Sequence, residues 1–168
     1  MDTFFEQIVA IRKNWKTITL FILVWLLAFV ICAFFFLTNL LGGFILFLVF
    51  GVFYGAYKIT SILNVEYEYI ITNGTLDIDK ILNKSSRKRI LSLDLSKVSR
   101  IEKFNPALVS KINSKQLVMA CNDNDDAYLL VVESEGKGAT YLVFAPEERL
   151  RGAVIKFVPK FIAISAFK

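Results

Sequence analysis

"VEYEYIITNGTLDIDKIL", residues 65–82, alternates Val65, Tyr67, Tyr69 and Ile71 against Glu66 and Glu68, breaks at Asn73-Gly74, and resumes with Leu76 and Ile78 against Asp77 and Asp79. Successive side chains of a strand leave on opposite faces, so a period of two marks a half-buried strand. An Asn-Gly pair supplies the two left-handed residues of a tight hairpin turn. The stretch therefore predicts two antiparallel strands joined by a short turn. "RKRILSLDL", residues 87–95, sets Leu91, Leu93 and Leu95 against Ser92 and Asp94 and predicts a third.

The same pattern continues outward towards the C-terminus. "VSRIEKF" (98–104), "KQLVMACN" (115–122), "AYLLVVES" (127–134) and "ATYLVFA" (139–145) read as four more strands. Asn122 to Asp126 and Gly136 to Gly138 serve as turns, and Asn105 to Ser114, containing Pro106, is the longest irregular connection. Seven strands in about eighty residues imply a sandwich or partly open barrel. Beyond them Leu150, Val154, Phe157, Val158 and Phe161 recur at helical spacing. Pro146 opens that helix and Glu147 and Glu148 sit at the favourable end of its dipole, while Pro159 kinks or ends it.

Towards the N-terminus the period changes. Thr17 to Tyr57 holds no Asp, Glu, Lys or Arg, a run about twice the ~20 residues that cross a bilayer as a helix. "TITLFILVWLLAFVICAFFFL" (17–37) is one span, "TNLLGG" (38–43) a turn, and "FILFLVFGVFYGAYKITSIL" (44–63) a second span, with Lys58 near its end. The apolar core of the first is too long for a cleaved signal peptide and no small-residue cleavage site follows it. Arg12, Lys13 and Lys16 precede the first span and Lys58 closes the second, so the positive-inside bias puts both termini in the cytoplasm. The expected localisation is a multi-pass protein of the cell membrane. In the second span Gly51 and Gly55 form a small-xxx-small pair, which suits either packing of the two hairpin helices on each other or homodimerisation. In "MDTFFEQIVAIRKNW" (1–15), Phe4, Phe5, Ile8, Val9 and Ile11 have a partly helical spacing, which reads as a short surface-lying helix or a frayed terminus.

The expected division is an N-terminal cytoplasmic or interfacial segment (1–16), a transmembrane helical hairpin (17–63) and a cytoplasmic β-domain (64–168). The β-domain carries 16 Lys+Arg against 13 Asp+Glu, a mild excess that does not mark a nucleic-acid binder. The chain has no histidine, which excludes Ser-His-Asp triads and His-ligated zinc. Cys32 and Cys121 suggest no disulfide framework, and Cys121, alternating with Leu117 and Met119, reads as a small buried hydrophobe. Asp123, Asp125 and Asp126 lack the Gly and Glu positions of a calcium loop and read as a turn. Glu66, Glu68, Asp77 and Asp79 are expected to face solvent, not a pocket. No catalytic constellation, metal site or cofactor follows.

One cluster asks for a partner. Lys84, Arg87, Lys88 and Arg89 stand in "NKSSRKRI", residues 83–90. At ~1 kcal/mol per cation near an anionic leaflet, four would contribute at most ~4 kcal/mol. The competing readings are a solvated hairpin end neutralised by Asp77 and Asp79 across the strand pair, and contact with an acidic protein.

Taken together, "YEYIITNGTLDIDKI", "RKRILSL" and "FAPEERLRGAVIKF" resemble bacterial pleckstrin-homology-like (PH-like) domains attached to paired membrane helices, and more closely an uncharacterised family of small bacterial membrane proteins. The resemblance implies an α+β membrane protein: an N-terminal transmembrane helical hairpin, then a PH-like seven-stranded antiparallel β-sandwich or barrel with one C-terminal helix. It implies no chemistry for any residue. The expected function is a non-catalytic interaction or lipid-headgroup-sensing module, or else an accessory subunit of a membrane complex. Its partners would be the phospholipid bilayer and a membrane protein or second copy, with no nucleic acid.

Overall fold

The computed structural model describes residues 3–109, 116–122, 126–134 and 138–167. Asp123 and Asp125, Gly136, and residues 110–115 of the expected irregular connection lie outside the described residues. The chain forms two compact units, one of residues 1–11, 66–81 and 87–168, the other of residues 12–65 and 82–86.

The second unit is a pair of apolar helices, α1 (Trp15–Thr38) and α2 (Ile45–Ser61), joined through a 3-10 turn at Gly42–Phe44. Asn39 closes α1 in the left-handed conformation that ends helices. By length and composition, α1 and the helical stretch Gly42–Ser61, which joins the 3-10 turn to α2, could each cross a membrane. They pack through small or flat side chains: Ala28, Cys32 and Ala56 are buried, and the Trp25 and Phe53 rings lie 5.9 Å apart.

The first unit is built from two four-stranded sheets. One has the order β1 (Phe4–Ala10), β2 (Val65–Thr72), β3 (Thr75–Leu82), β4 (Ser86–Asp94). The β2–β3 turn is the expected one, with Asn73 at φ 48° and Gly74 at φ 89°. The other sheet has the order β5 (Val98–Lys103), β7 (Tyr128–Ser134), β8 (Gly138–Phe144), β6 (Leu117–Met119). A short α3 (Pro106–Val109) follows β5. Tyr69, Ile71, Leu76 and Ile78 of the first sheet share one core with Ile101, Leu130, Val132, Leu142 and Phe144 of the second. Leu129, Val131 and Val143 fill a smaller cluster on the second sheet's other face, together with the buried Cys121. Strands β7 and β8 are thus buried on both faces, which is why their sequences read as nearly continuous apolar runs.

Several expectations are corrected. Residues 4–10 are neither a helix nor a frayed end but strand β1, antiparallel to β2 from Phe4↔Thr72 to Ala10↔Glu66. The ladder satisfies every second backbone group and turns Phe5 and Val9 onto the core. The β-unit therefore includes residues before the hairpin, and eight strands are described instead of seven. Strand β6 does not pair with β7 across the Asn122–Asp126 connection; it runs parallel to β8, Leu117↔Tyr141 to Met119↔Val143, so the sheets are not wholly antiparallel. The single C-terminal helix is two, α4 (Glu148–Phe157) and α5 (Lys160–Ser165). Pro159, which has no N–H to donate, stands between them. Leu150, Ala153, Val154, Val158 and Ile162 close the core from this side.

Candidate functional site

The outer face of the first sheet is where the charges gather. On β2 the core side takes Tyr69 and Ile71, so Glu68 turns outward, and on β3 Leu76 and Ile78 leave Asp77 and Asp79 outward. Strand β4 brings the cations. Arg89 donates from Nε to Asp79 Oδ1 at 2.9 Å and from Nη1 to Asp77 Oδ2 at 2.9 Å, a two-pronged grip on two carboxylates. Arg87 Nη1 lies 3.1 Å from Glu68 Oε2, reaching past β3 to β2. Ser92 adds a hydroxyl hydrogen bond to Asp77.

The four cations of the expected cluster are thus not equivalent. Arg87 and Arg89 are neutralised within the sheet. Among the described residues no carboxylate pairs with Lys84 or Lys88. Lys84 sits in the β3–β4 turn in a left-handed conformation (φ 57°), beside Asn83 (φ 49°), and belongs to the compact unit of the helices, whereas Arg87, Lys88 and Arg89 belong to the sheets. Of the four, two are left without a carboxylate partner, which halves the ~4 kcal/mol ceiling that four cations would set.

The acidic side also departs from expectation. Glu68 has 0 % exposure and Asp79 is buried as well. Alternation placed both on the outer face correctly, but that face is covered at these two positions. Burial pushes the Glu68 carboxyl above the usual carboxylate range; the neighbouring carboxyls of Glu6 and Asp79 act the same way, and Arg87 opposes them. Glu6 faces Ile70 across the ladder and Ile8 faces Glu68, so the two glutamates are diagonal neighbours on one face of β1–β2. No group of three or more acidic or Cys side chains that could hold a metal is found among the described residues.

A second feature lies at the edge of the same sheet. A cavity of about 100 Å³ is lined by Phe5, Glu6 and Gln7 of β1 and by Glu147, Arg149 and Leu150 at the start of α4. Gln7 fixes its two walls: Nε2 donates to Ala145 O at 3.0 Å, and Oε1 accepts from Glu147 N at 2.9 Å. Nothing in the sequence marked this amide, because its partners lie about 140 residues away.

At Gly51 and Gly55 of α2 a Cβ built on either meets nothing within 4 Å.

A family model described as a bacterial PH-like domain (DUF6106) matches residues 1–164, and the chain belongs to that family. The match takes in the segment before the helices, in keeping with β1 as part of the sheet. No curated protein matches the chain.

Proposed function

We propose that this bacterial PH-like protein is a non-catalytic interaction module, anchored by a hairpin that crosses the membrane twice and holds its β-unit at the cytoplasmic surface. One observation carries the reading. Strand β1 precedes α1, β2 follows α2, and β1 pairs with β2 over its whole length, from Phe4↔Thr72 to Ala10↔Glu66. Strands that share a ladder share a side of the bilayer, so the chain between them makes an even number of crossings. Arg12, Lys13, Lys16 and Lys58 at the helix ends select the cytoplasmic side. Labelling tests this in cells expressing a chain whose Cys32 and Cys121 are replaced by serine. Asn39→Cys should react with an impermeant maleimide outside intact cells, and Ser96→Cys only after permeabilisation. The reverse pattern overturns the topology.

Headgroup contact enters this reading through Lys84 and Lys88 alone, since Arg87 and Arg89 have carboxylate partners. In nanodiscs of anionic lipid both lysines should acylate more slowly than in neutral nanodiscs. Equal rates remove the lipid from the proposal and leave a protein-binding module.

The open face at Gly51 and Gly55 favours a second role for the hairpin, close packing against a membrane helix of another chain or a second copy. Disulfide cross-linking of Gly51→Cys in membranes would yield a discrete adduct, and a chain that stays wholly monomeric would exclude a second copy.

A further inference from the structure

Each sheet of the β-unit has two edges, and the described residues treat them differently. Strand β4 carries Arg87, Lys88 and Arg89, the charged side chains that commonly discourage a further strand. Strand β5 packs against α5, and β6 is only three residues long. Strand β1 is neither short nor basic, and α4 runs beside it. The strand is seven residues, FFEQIVA, without Lys, Arg, Pro or Gly, and it ends the order of its sheet.

The phase of its ladder can be read off. Asn73 N donates to Thr3 O at 3.2 Å, which makes Thr3 and Asn73 a bonded pair and turns the backbone of Phe5, Gln7 and Val9 toward β2. The N–H and C=O groups of Phe4, Glu6, Ile8 and Ala10 then point away from the sheet. Asn122 Nδ2 takes the Ala10 carbonyl at 3.2 Å. Beside Phe4, Glu6 and Ile8 no strand stands among the described residues. Their side chains share the outer face, with Phe4 60 % and Ile8 49 % exposed. On the other side of the edge runs the cavity against α4, its walls pinned by Gln7. There Arg149 and Lys156 each lie 5.8 Å from the Phe5 ring, and no carboxylate pairs with either among the described residues.

We propose that the β1 edge and the adjoining α4 wall form a docking site for an extended segment of a partner protein, which adds as a fifth strand through Phe4, Glu6 and Ile8. Strand addition draws its affinity from main-chain hydrogen bonds and its selectivity from alternate side chains. The segment is therefore apolar at the alternate positions that meet Phe4 and Ile8, and acidic where it passes Arg149 and Lys156. A second copy fits less well, because symmetric pairing centred on the strand sets two Glu6 carboxylates opposite each other. The proposal names a partner class for the interaction module and rests on that reading only for the β-unit being a binding module. Its test reads the edge and not the membrane topology, so the two fail separately.

The test uses the full chain in nanodiscs and a fluorescein-labelled peptide, Thr-Val-Glu-Val-Thr-Val-Thr, with a control carrying proline at alternate positions. The peptide should raise anisotropy and slow amide exchange at Phe4, Glu6 and Ile8, leaving Phe5, Gln7 and Val9 as slow as before. Phe4→Lys should weaken binding by roughly tenfold, a ~1.4 kcal/mol loss, while Arg100→Glu on the β5 edge should not. If Phe4→Lys loses the protection of Phe5, Gln7 and Val9, Ile8→Lys takes its place. No anisotropy change, an equal rise with the proline peptide, or indifference to both lysine variants overturns the proposal. So does a chain that is dimeric in nanodiscs and becomes monomeric on Phe4→Lys, which assigns the edge to a second copy.

Discussion

Tyr69→Phe removes one oxygen from the centre of the β-unit and leaves the ring in place. Tyr69 has 0 % exposure, and its ring stands edge-on to Phe144 at 5.8 Å, a contact that phenylalanine keeps. The hydroxyl donates to Ala120 O and accepts from Ala145 N at 3.3 Å, tying β2 to the ends of β6 and β8. Ala120 is fully buried, so its carbonyl loses its partner without gaining water; an orphaned buried group costs ~1–3 kcal/mol. Ala145 is only half-buried and its N–H can recruit water, which adds little. The expected loss is about 2 kcal/mol, or about 8–12 °C in Tm for a domain of this size. Amide exchange of the full chain in detergent, followed on heating at the amides of β2 and β7, reads the β-unit apart from the hairpin, which holds both tryptophans. A fall of less than about 2 °C, well under 1 kcal/mol, would show that the hydroxyl does not link the sheets and that their relative placement is wrong.

Other variants probe the charges and the turn. Because the folded state raises the Glu68 carboxyl, its stabilising contribution is complete below the ordinary glutamate range and is lost as pH rises through the folded value. Tm of the wild type should fall between pH 5 and pH 8 more steeply than that of Glu68→Gln, and equal slopes would contradict the burial. Asp126 behaves oppositely: hydrogen bonds from Lys103 and then Arg151 hold it below the usual range, so its contribution is present at neutral pH and lost as acid titrates it. Asp126→Asn should lower Tm slightly at pH 7 and not at all at pH 2, with the effect erased by about 1 M salt. Gly74→Ala places a Cβ at φ 89° and 3.2 Å from Phe157 Cδ1, and thermal melting should show a loss of ~1–2 kcal/mol or more.

Strands β2, β3 and β4 were legible because each alternates cleanly and Asn73-Gly74 admits one turn. Strand β1 was not. Its inward Phe5 and Val9 and outward Phe4 and Ile8 are all apolar, so no period of two survives, and its partner lies across the whole helical hairpin. The parallel pairing of β6 was invisible for a related reason, since local turn chemistry says nothing about which distant edge a strand will join. For the charges, Arg89 with Asp77 and Asp79 follows from neighbouring strands. Arg87 with Glu68 spans two strands, and no spacing rule reaches that far. Alternation reported correctly which face Glu68 occupies, but a face is not an exposure.

The insertion of the hairpin between β1 and β2 ties folding to anchoring. Bringing Ala10 to Glu66 closes a loop of residues 11–65, which as a flexible chain would cost about 3–4 kcal/mol in closure entropy, more than most single contacts return. Packing α1 against α2 removes much of that cost, because a helical hairpin returns the chain close to where it left. Strand β1 can therefore add to β2 at little expense only once the helices have paired. A fragment beginning at residue 64 lacks β1 altogether and bares the apolar flank of β2, so the β-unit is not reproduced by its C-terminal portion. The same order of events bears on the docking edge: Phe4, Glu6 and Ile8 become a template for another strand only after β1 has been fixed by β2 on one side and by Gln7 on α4. An edge completed in this way would present itself to a partner only from chains whose hairpin has already formed.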